Sequence, residues 1–149
     1  MKTLIVCVSV HHGNTEKIAI AMANALQATL LKPGEVNVER IAECDLVGFG
    51  SGIYFRKHHR TLLALVDRLA TTSGRKAFVF STSGQGSSKY NQPLISRLIE
   101  KGFDVISSFS CKGFDTWGPI GLLGGMSKGR PNEEDLKQAE NFARTLKEK

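Results

Sequence analysis

Residues Ser9-Val10-His11-His12-Gly13-Asn14-Thr15 place two adjacent imidazoles, two hydroxyls, an amide and a glycine directly ahead of an amphipathic stretch. Two chemistries compete for this segment. Imidazoles ligate metals and move protons. A glycine turn that opens a helix binds anions, because the backbone can approach the charge closely. Helix-start N–H groups at Asn14, Thr15 and Glu16 would point at that charge, and the helix dipole favours it. A zinc site needs three or four converging ligands, and the side chains of neighbouring residues on a turn diverge. The remaining candidates, His58, His59 and Cys111, follow other strand-like segments, so no metal site is expected. As anion donors the histidines fit better: a neutral imidazole presents one N–H and a protonated one presents two. A bound phosphate would raise their pKa. The plainer alternative is that Asn14 and Thr15 only cap a helix and that one imidazole is exposed and inert. The segment is neither GxxxxGK[ST] nor GxGxxG, which disfavours ATP hydrolysis and the usual dinucleotide binding.

Five short segments must position these residues. Thr3–Ser9, Val36–Arg40, Leu46–Ser51, Lys76–Thr82 and Val105–Cys111 read as buried strands. "LIVCVSV" and "AFVF" are nearly continuous apolar runs, as in strands covered on both faces of a parallel sheet. Helical periodicity lies between and after them, over Glu16–Leu30, Arg60–Leu69, Gln92–Lys101 and Glu133–Leu146. Asn132 precedes the last of these and is an expected N-cap, with acids in the first turn. Strand followed by helix, repeated, predicts an α/β fold with right-handed crossovers. With 149 residues, a single domain spanning 1–149 is expected. The glycine-dense stretch Lys112–Pro131 is the longest without a clear element, and such stretches are usually functional or mobile.

Composition narrows the function. The chain is 41% hydrophobic and 23% charged, ordinary for a globular protein. No apolar run reaches the ~18 residues that span a bilayer. "MKTLIVCVSV" opens as a signal peptide would, yet it runs into "HHGNTEK" rather than a cleavage site. It reads as a first strand, and a cytoplasmic location is expected. Cys7, Cys44 and Cys111 form no CxxC pair and suggest no disulfide framework. The net charge of +6 admits nucleic acid, an acidic protein partner or an anionic ligand. There is no zinc-finger spacing and no RNA-recognition signature, and only "RKHHR" clusters cations. Nucleic-acid binding is not expected.

The strand ends carry the rest of the signal. Strand three runs into "GFGSGIYF", with Ser51, Gly52, Ile53, Tyr54 and Phe55; strand four into "STSGQGSSKY"; strand five into "CKGFDTW". Ligands of open α/β sheets bind outside the carboxyl ends of the strands, where the strand order reverses. Four such ends here carry small, hydroxyl or aromatic residues. A flat ring held between two of these loops would need side chains such as Tyr54, Phe55 or Trp117. The alternative is that Phe55 and Trp117 are ordinary loop anchors.

Together, "HGNTEKIA" after a first strand, "GFGSGIY" and "FSTSG" resemble the flavodoxin family. More closely, the chain resembles short single-domain flavodoxin-like proteins of bacteria and archaea that carry "HHGNT" and end in "GFDT…G…KGRPN". The resemblance covers essentially the whole chain. It implies a three-layer fold with a five-stranded parallel sheet of order 2-1-3-4-5, and non-covalent FMN at its switch point. Carried over residue by residue, Ser9, His12, Gly13, Asn14 and Thr15, with His11 beside them, fall on the phosphate loop. Ser51, Gly52, Ile53, Tyr54 and Phe55 fall on the first ring-binding loop. Thr82, Ser83 and Gly84 fall on the second, and Gly113 and Phe114 begin the third contribution. Two departures stand out. Val10 occupies a position where the family carries a hydroxyl, and His12 one where it carries threonine or serine. Electron-carrying flavodoxins also tend to be acidic, whereas this chain is +6.

The expectation is an FMN-dependent redox protein that exchanges electrons with a protein partner or a small-molecule donor or acceptor. No catalytic base or nucleophile is required. A second reading is an FMN oxidoreductase of the quinone or protoporphyrinogen type with its own substrate, Lys112–Pro131 shaping the pocket and Arg56, Lys57 and Arg60 attracting an anion. A third is a non-redox binding module of the same fold.

Overall fold

Strand β1 (Thr3–Val8) sends alternate side chains to two different cores. Leu4 and Val6 join Val47, Phe49, Ala77 and Val79 on one face of a sheet. Ile5 and Cys7 join Leu46, Phe78 and Phe80 on the other. A strand buried on both sides has to be apolar throughout, which is why "LIVCV" lacks the polar alternation of a half-exposed strand. The computed structural model describes residues 1–10, 13–113 and 128–149.

In chain order the elements are β1, α1 (Asn14–Leu26), β2 (Thr29–Leu31), β3 (Leu46–Tyr54), β4 (Lys57–His58), α2 (Arg60–Arg68), β5 (Lys76–Ser83), α3 (Gln92–Glu100), β6 (Asp104–Lys112) and α4 (Glu133–Leu146). The sheet order is β2-β1-β3-β5-β6, all parallel, and the two-residue β4 pairs antiparallel with the end of β3. Without that short arm this is the order 2-1-3-4-5 that the resemblance implies. Helices α1 and α4 cover the Ile5 face, where Ile18, Met22 and Leu26 meet Ala139, Ala143 and Leu146. Helices α2 and α3 cover the Leu4 face with Leu62, Leu65, Val66, Leu94 and Leu98. The result is a three-layer α/β sandwich. The chain steps from β1 outward to β2 and then returns to β3 on the other side of β1. The carboxyl ends of β1 and β3 therefore flank a switch point.

Packing explains part of "GFGSG". A Cβ on Gly48 would lie 2.2 Å from the Phe78 ring, and one on Gly50 would lie 2.2 Å from the Phe80 ring. Each glycine is register partner to the phenylalanine it accommodates. The start of α4 is held by a reciprocal cap. Asn132 accepts from the Asp135 N–H at 2.9 Å, and Asp135 accepts from the Asn132 N–H at 2.8 Å. Arg130 grips the same carboxylate through two hydrogen bonds, of 2.5 and 2.6 Å. This guanidinium and the cap hold the Asp135 carboxyl below the usual range.

Two predicted elements are misplaced. The expected strand Val36–Arg40 is absent; Val38–Glu43 forms a 3-10 turn, and the second strand is Thr29–Leu31. Alternating Val36 and Val38 mimic a strand, but Asn37 accepts from the Glu39 N–H at 3.0 Å and starts the turn. Both valines instead pack, partly buried, on the Leu4-face core. The helix predicted over Glu16–Leu30 stops at Leu26, because Gln27 adopts a left-handed conformation (φ 54°) and directs its N–H to the Ala23 carbonyl.

Candidate functional site

The loops after β1, β5 and β6 are fastened to one another. Ser9 Oγ accepts the Glu16 N–H at 3.1 Å, tying the start of the first loop to the first turn of α1. Gly13 precedes that helix at φ 64°, and a Cβ there would meet nothing within 4 Å. The glycine is therefore required by conformation rather than by packing. The Thr15 and Thr82 hydroxyls lie 2.7 Å apart, buried, joining α1 to the end of β5. Ser83 then links twice: its Oγ accepts the Gly86 N–H at 2.8 Å, and its carbonyl accepts the Gly113 N–H at 2.9 Å. A Cβ on Gly113 would come within 2.8 Å of Asn14 Nδ2, so the loop after β6 lies directly against the first.

Ser51 and Ser81 are neighbours in register near the ends of β3 and β5, both fully buried. Ser51 Oγ donates to the Gly52 carbonyl at 2.6 Å and accepts the His59 N–H at 2.9 Å, fixing where α2 begins. Ser81 Oγ is buried with no partner among the described residues. Gly52, Ile53 and Tyr54 are half-buried, and Thr82 and Gly84 are buried. Tyr54 stands edge-on to His59, with ring centroids 5.1 Å apart. His11, His12, Phe114 and Trp117 lie outside the described residues.

Beyond Ser51 the chain forms a tight hairpin. Ile53 pairs with His58 and Tyr54 with Lys57, which leaves Phe55 and Arg56 as the two turn residues. Both have positive φ, 52° and 67°. That is the type I′ signature, normally met with Asn-Gly; here it costs about 1–2 kcal/mol per residue. Phe55 at the tip is 81% exposed. A cavity of about 410 Å³ between the hairpin and the first turn of α2 is lined by Tyr54, Phe55, Lys57, Arg60 and Leu63 among others.

The remaining candidate acids and bases are restrained. His58 Nε2 donates to the Phe80 carbonyl at 2.9 Å, and burial pushes the imidazole down to about 4, so it is neutral at physiological pH. Its Nδ1 is buried without a partner among the described residues. His59 caps α2, its Nδ1 accepting the Thr61 N–H at 3.1 Å. Burial and nearby Arg60 lower its pKa. Cys7, Cys44 and Cys111 are free and buried. Burial pushes the Cys7 and Cys111 thiols up to about 12, so neither is a nucleophile near neutrality. Among the described residues no three His, Cys, Asp or Glu converge as metal ligands. No described helix is long and apolar enough to cross a membrane.

The sequence reading missed the β3–β4 hairpin, since "YFRK" carries none of the usual turn residues. It also missed the contact of Asn14 with Gly113, which only the sheet order brings about.

These features define a doubly wound α/β protein whose candidate site lies at the switch point, across the carboxyl ends of four strands. The family model for the flavodoxin domain matches residues 5–106, and the chain belongs to that family. It is 43% identical over 148 residues to an uncharacterized protein of Methanocaldococcus jannaschii, covering 98% of each chain. Among solved structures it is similar to oxidised flavodoxin 2 from Bacillus cereus, with TM-score 0.77, 20% identity and 99% of each chain covered. A flavodoxin from the domain Archaea aligns with TM-score 0.70 and 17% identity over 99% of this chain and 97% of that one. At these identities the two structures speak for the fold alone.

Proposed function

We propose that the chain binds FMN non-covalently across the carboxyl ends of β1, β3, β5 and β6, and serves as an electron carrier for protein partners. The observation that supports this most is the fastening of the strand-end loops through Thr15–Thr82, Ser83–Gly113 and the close approach of Gly113 to Asn14. A rigid, shared rim is what a cofactor site needs. The residues present suit the cofactor. Left-handed Gly13 opens a 13-residue helix, whose Asn14 and Thr15 N–H groups have no intrahelical acceptor; the Glu16 N–H, expected to join them, is taken by Ser9 Oγ. Together with Ser9, Asn14 and the imidazoles expected at His11 and His12, those two N–H groups would form a donor set for a phosphate dianion. Half-buried Gly52, Ile53 and Tyr54, with Thr82, Ser83, Gly84, Gly113 and Phe114, would supply small residues, backbone groups and aromatic faces for a flat ring; Phe55, 81% exposed at the hairpin tip, is not one of them.

When bound, FMN supplies one- or two-electron redox chemistry, and the protein supplies binding and orientation. Ser51 holds the β3 turn to α2, neutral His58 anchors the hairpin to β5, and the Thr15–Thr82 pair joins the phosphate loop to the second ring loop. The high thiol pKa values keep Cys7 and Cys111 out of the chemistry. The three unpaired thiols also favour a reducing compartment, the cytoplasm.

The cavity beside the hairpin favours a second reading, an FMN oxidoreductase with a small substrate of its own. Steady-state NADPH oxidation with a quinone acceptor separates the two: a carrier turns over only with a partner reductase. A non-redox receiver of the same fold would need an acidic cluster at the end of β1, where this chain has Ser9-Val10-His11-His12. The phosphate assignment is tested at His12. His12→Ala should weaken FMN binding about tenfold and leave riboflavin binding nearly unchanged, since one charge-assisted hydrogen bond contributes ~1.5 kcal/mol. Equal losses for the two ligands would reject it.

A further inference from the structure

The positive charge of this chain is concentrated in its middle third. Residues 46–99 hold eight Lys and Arg and a single carboxylate, Asp67. Arg97 takes that carboxylate at 2.8 Å. Three of the eight cations, Arg56, Lys57 and Arg60, are exposed on the β3–β4 hairpin and the start of α2. Among the described residues none of the three is ion-paired. A fourth, Lys89, is exposed on the turn Ser88–Asn91, which packs against β4. On the same hairpin the tip residue Phe55 is 81% exposed and lines a cavity with Lys57 and Arg60.

We propose that this hairpin is the docking surface for an acidic protein, with Phe55 as its apolar anchor and Arg56, Lys57, Arg60 and Lys89 as its steering rim. The inference rests on the reading of the chain as a redox carrier and names the chemistry of the partner. An aromatic anchor inside a polar ring is the arrangement of a binding hot spot. Unpaired cations of one sign raise the encounter rate with a partner of the opposite sign and fix its approach. Electron-transfer complexes are small and transient, so a single anchor with a charged rim is of suitable size. A membrane surface would instead call for a broad apolar face. Phe55 is the only exposed large hydrophobic between Ile20 and Ile99 among the described residues. The hairpin continues directly from Ser51–Tyr54, which places the docked protein at the edge of the proposed cofactor site.

The test uses an acidic plant-type ferredoxin as probe and the basic cytochrome c as control, titrated against the 15N-labelled full chain with and without FMN. The expected result is amide shifts centred on residues 54–60 with ferredoxin, with affinity falling about tenfold or more between roughly 20 and 300 mM salt. Lys57→Glu with Arg60→Glu should weaken ferredoxin at least about tenfold and strengthen cytochrome c. Phe55→Ala should weaken ferredoxin about tenfold without changing its salt dependence. Shifts elsewhere, no shifts, or equal affinity in the charge-reversed variant would overturn the proposal. So would Phe55-dependent cosedimentation with phosphatidylserine-rich vesicles in the absence of ferredoxin binding. A chain that binds ferredoxin at the hairpin but takes up no FMN would retire the cofactor reading and leave the docking surface standing. A chain that binds FMN and leaves the hairpin unshifted would do the reverse.

Discussion

His58 carries the clearest single-residue signature. Its ring is buried, its Nε2–H is committed to the Phe80 carbonyl and its pKa is depressed to about 4. The unfolded chain takes up that proton near its ordinary value of 6.5, so folding releases it. The His58 contribution is present in full above pH 6.5 and is lost as pH falls towards 4. The loss is about 3 kcal/mol over that window. Urea unfolding at several pH values should show stability falling below pH 6.5 in the wild type, and a flatter profile in His58→Gln; identical slopes would refute the assignment. Gly50 is a second case. A Cβ there would press into the Phe80 ring, and Gly50→Ala should cost about 2–3 kcal/mol by overpacking, read as a lower urea midpoint. The sequence showed these glycines at a strand end and drew attention to the ligand. Only the register of β3 on β5 reveals that Gly48 and Gly50 make room for phenylalanines.

At the scale of elements the hairpin is the exception in an otherwise conventional fold. Phe55 and Arg56 occupy turn positions that favour Asn and Gly. Phe55→Asn combined with Arg56→Gly should raise stability by about 2 kcal/mol, measured as a higher urea midpoint, while weakening ferredoxin binding at least about tenfold. Unchanged or lower stability would show that the turn is not strained. The elements differ in how far they could be read in advance. Strands β1, β3 and β5 are apolar on both faces and announce themselves, as do α2, α3 and α4 through their periodicity. The second strand did not, since Thr29–Leu31 is only three residues long and the valine alternation at Val36 and Val38 is more strand-like than the strand itself. The end of α1 was hidden too, because Gln27 takes a left-handed position that sequence patterns assign to glycine or asparagine.

For the whole molecule, the parallel order and its switch point follow from the repeating strand–helix pattern and the flavodoxin-like motifs. The family match and the observed topology agree with that reading. What the sequence left open was how the strand-end residues meet. Thr15 and Thr82 are 67 positions apart, and their hydroxyl pair exists only because β1 and β5 flank β3. The asymmetry of charge, by contrast, is plain in the sequence, and the fold puts three of its cations, Arg56, Lys57 and Arg60, on the hairpin and the start of α2.

Whether the fastened loops hold FMN is read by adding FMN to the purified chain, removing unbound flavin by gel filtration and recording the visible absorption spectrum. The expected result is a protein fraction carrying a flavin spectrum at about one FMN per chain, with affinity well above that for riboflavin, as a phosphate held at the start of α1 would give. A colourless protein fraction that gains no flavin absorbance at saturating FMN would contradict it.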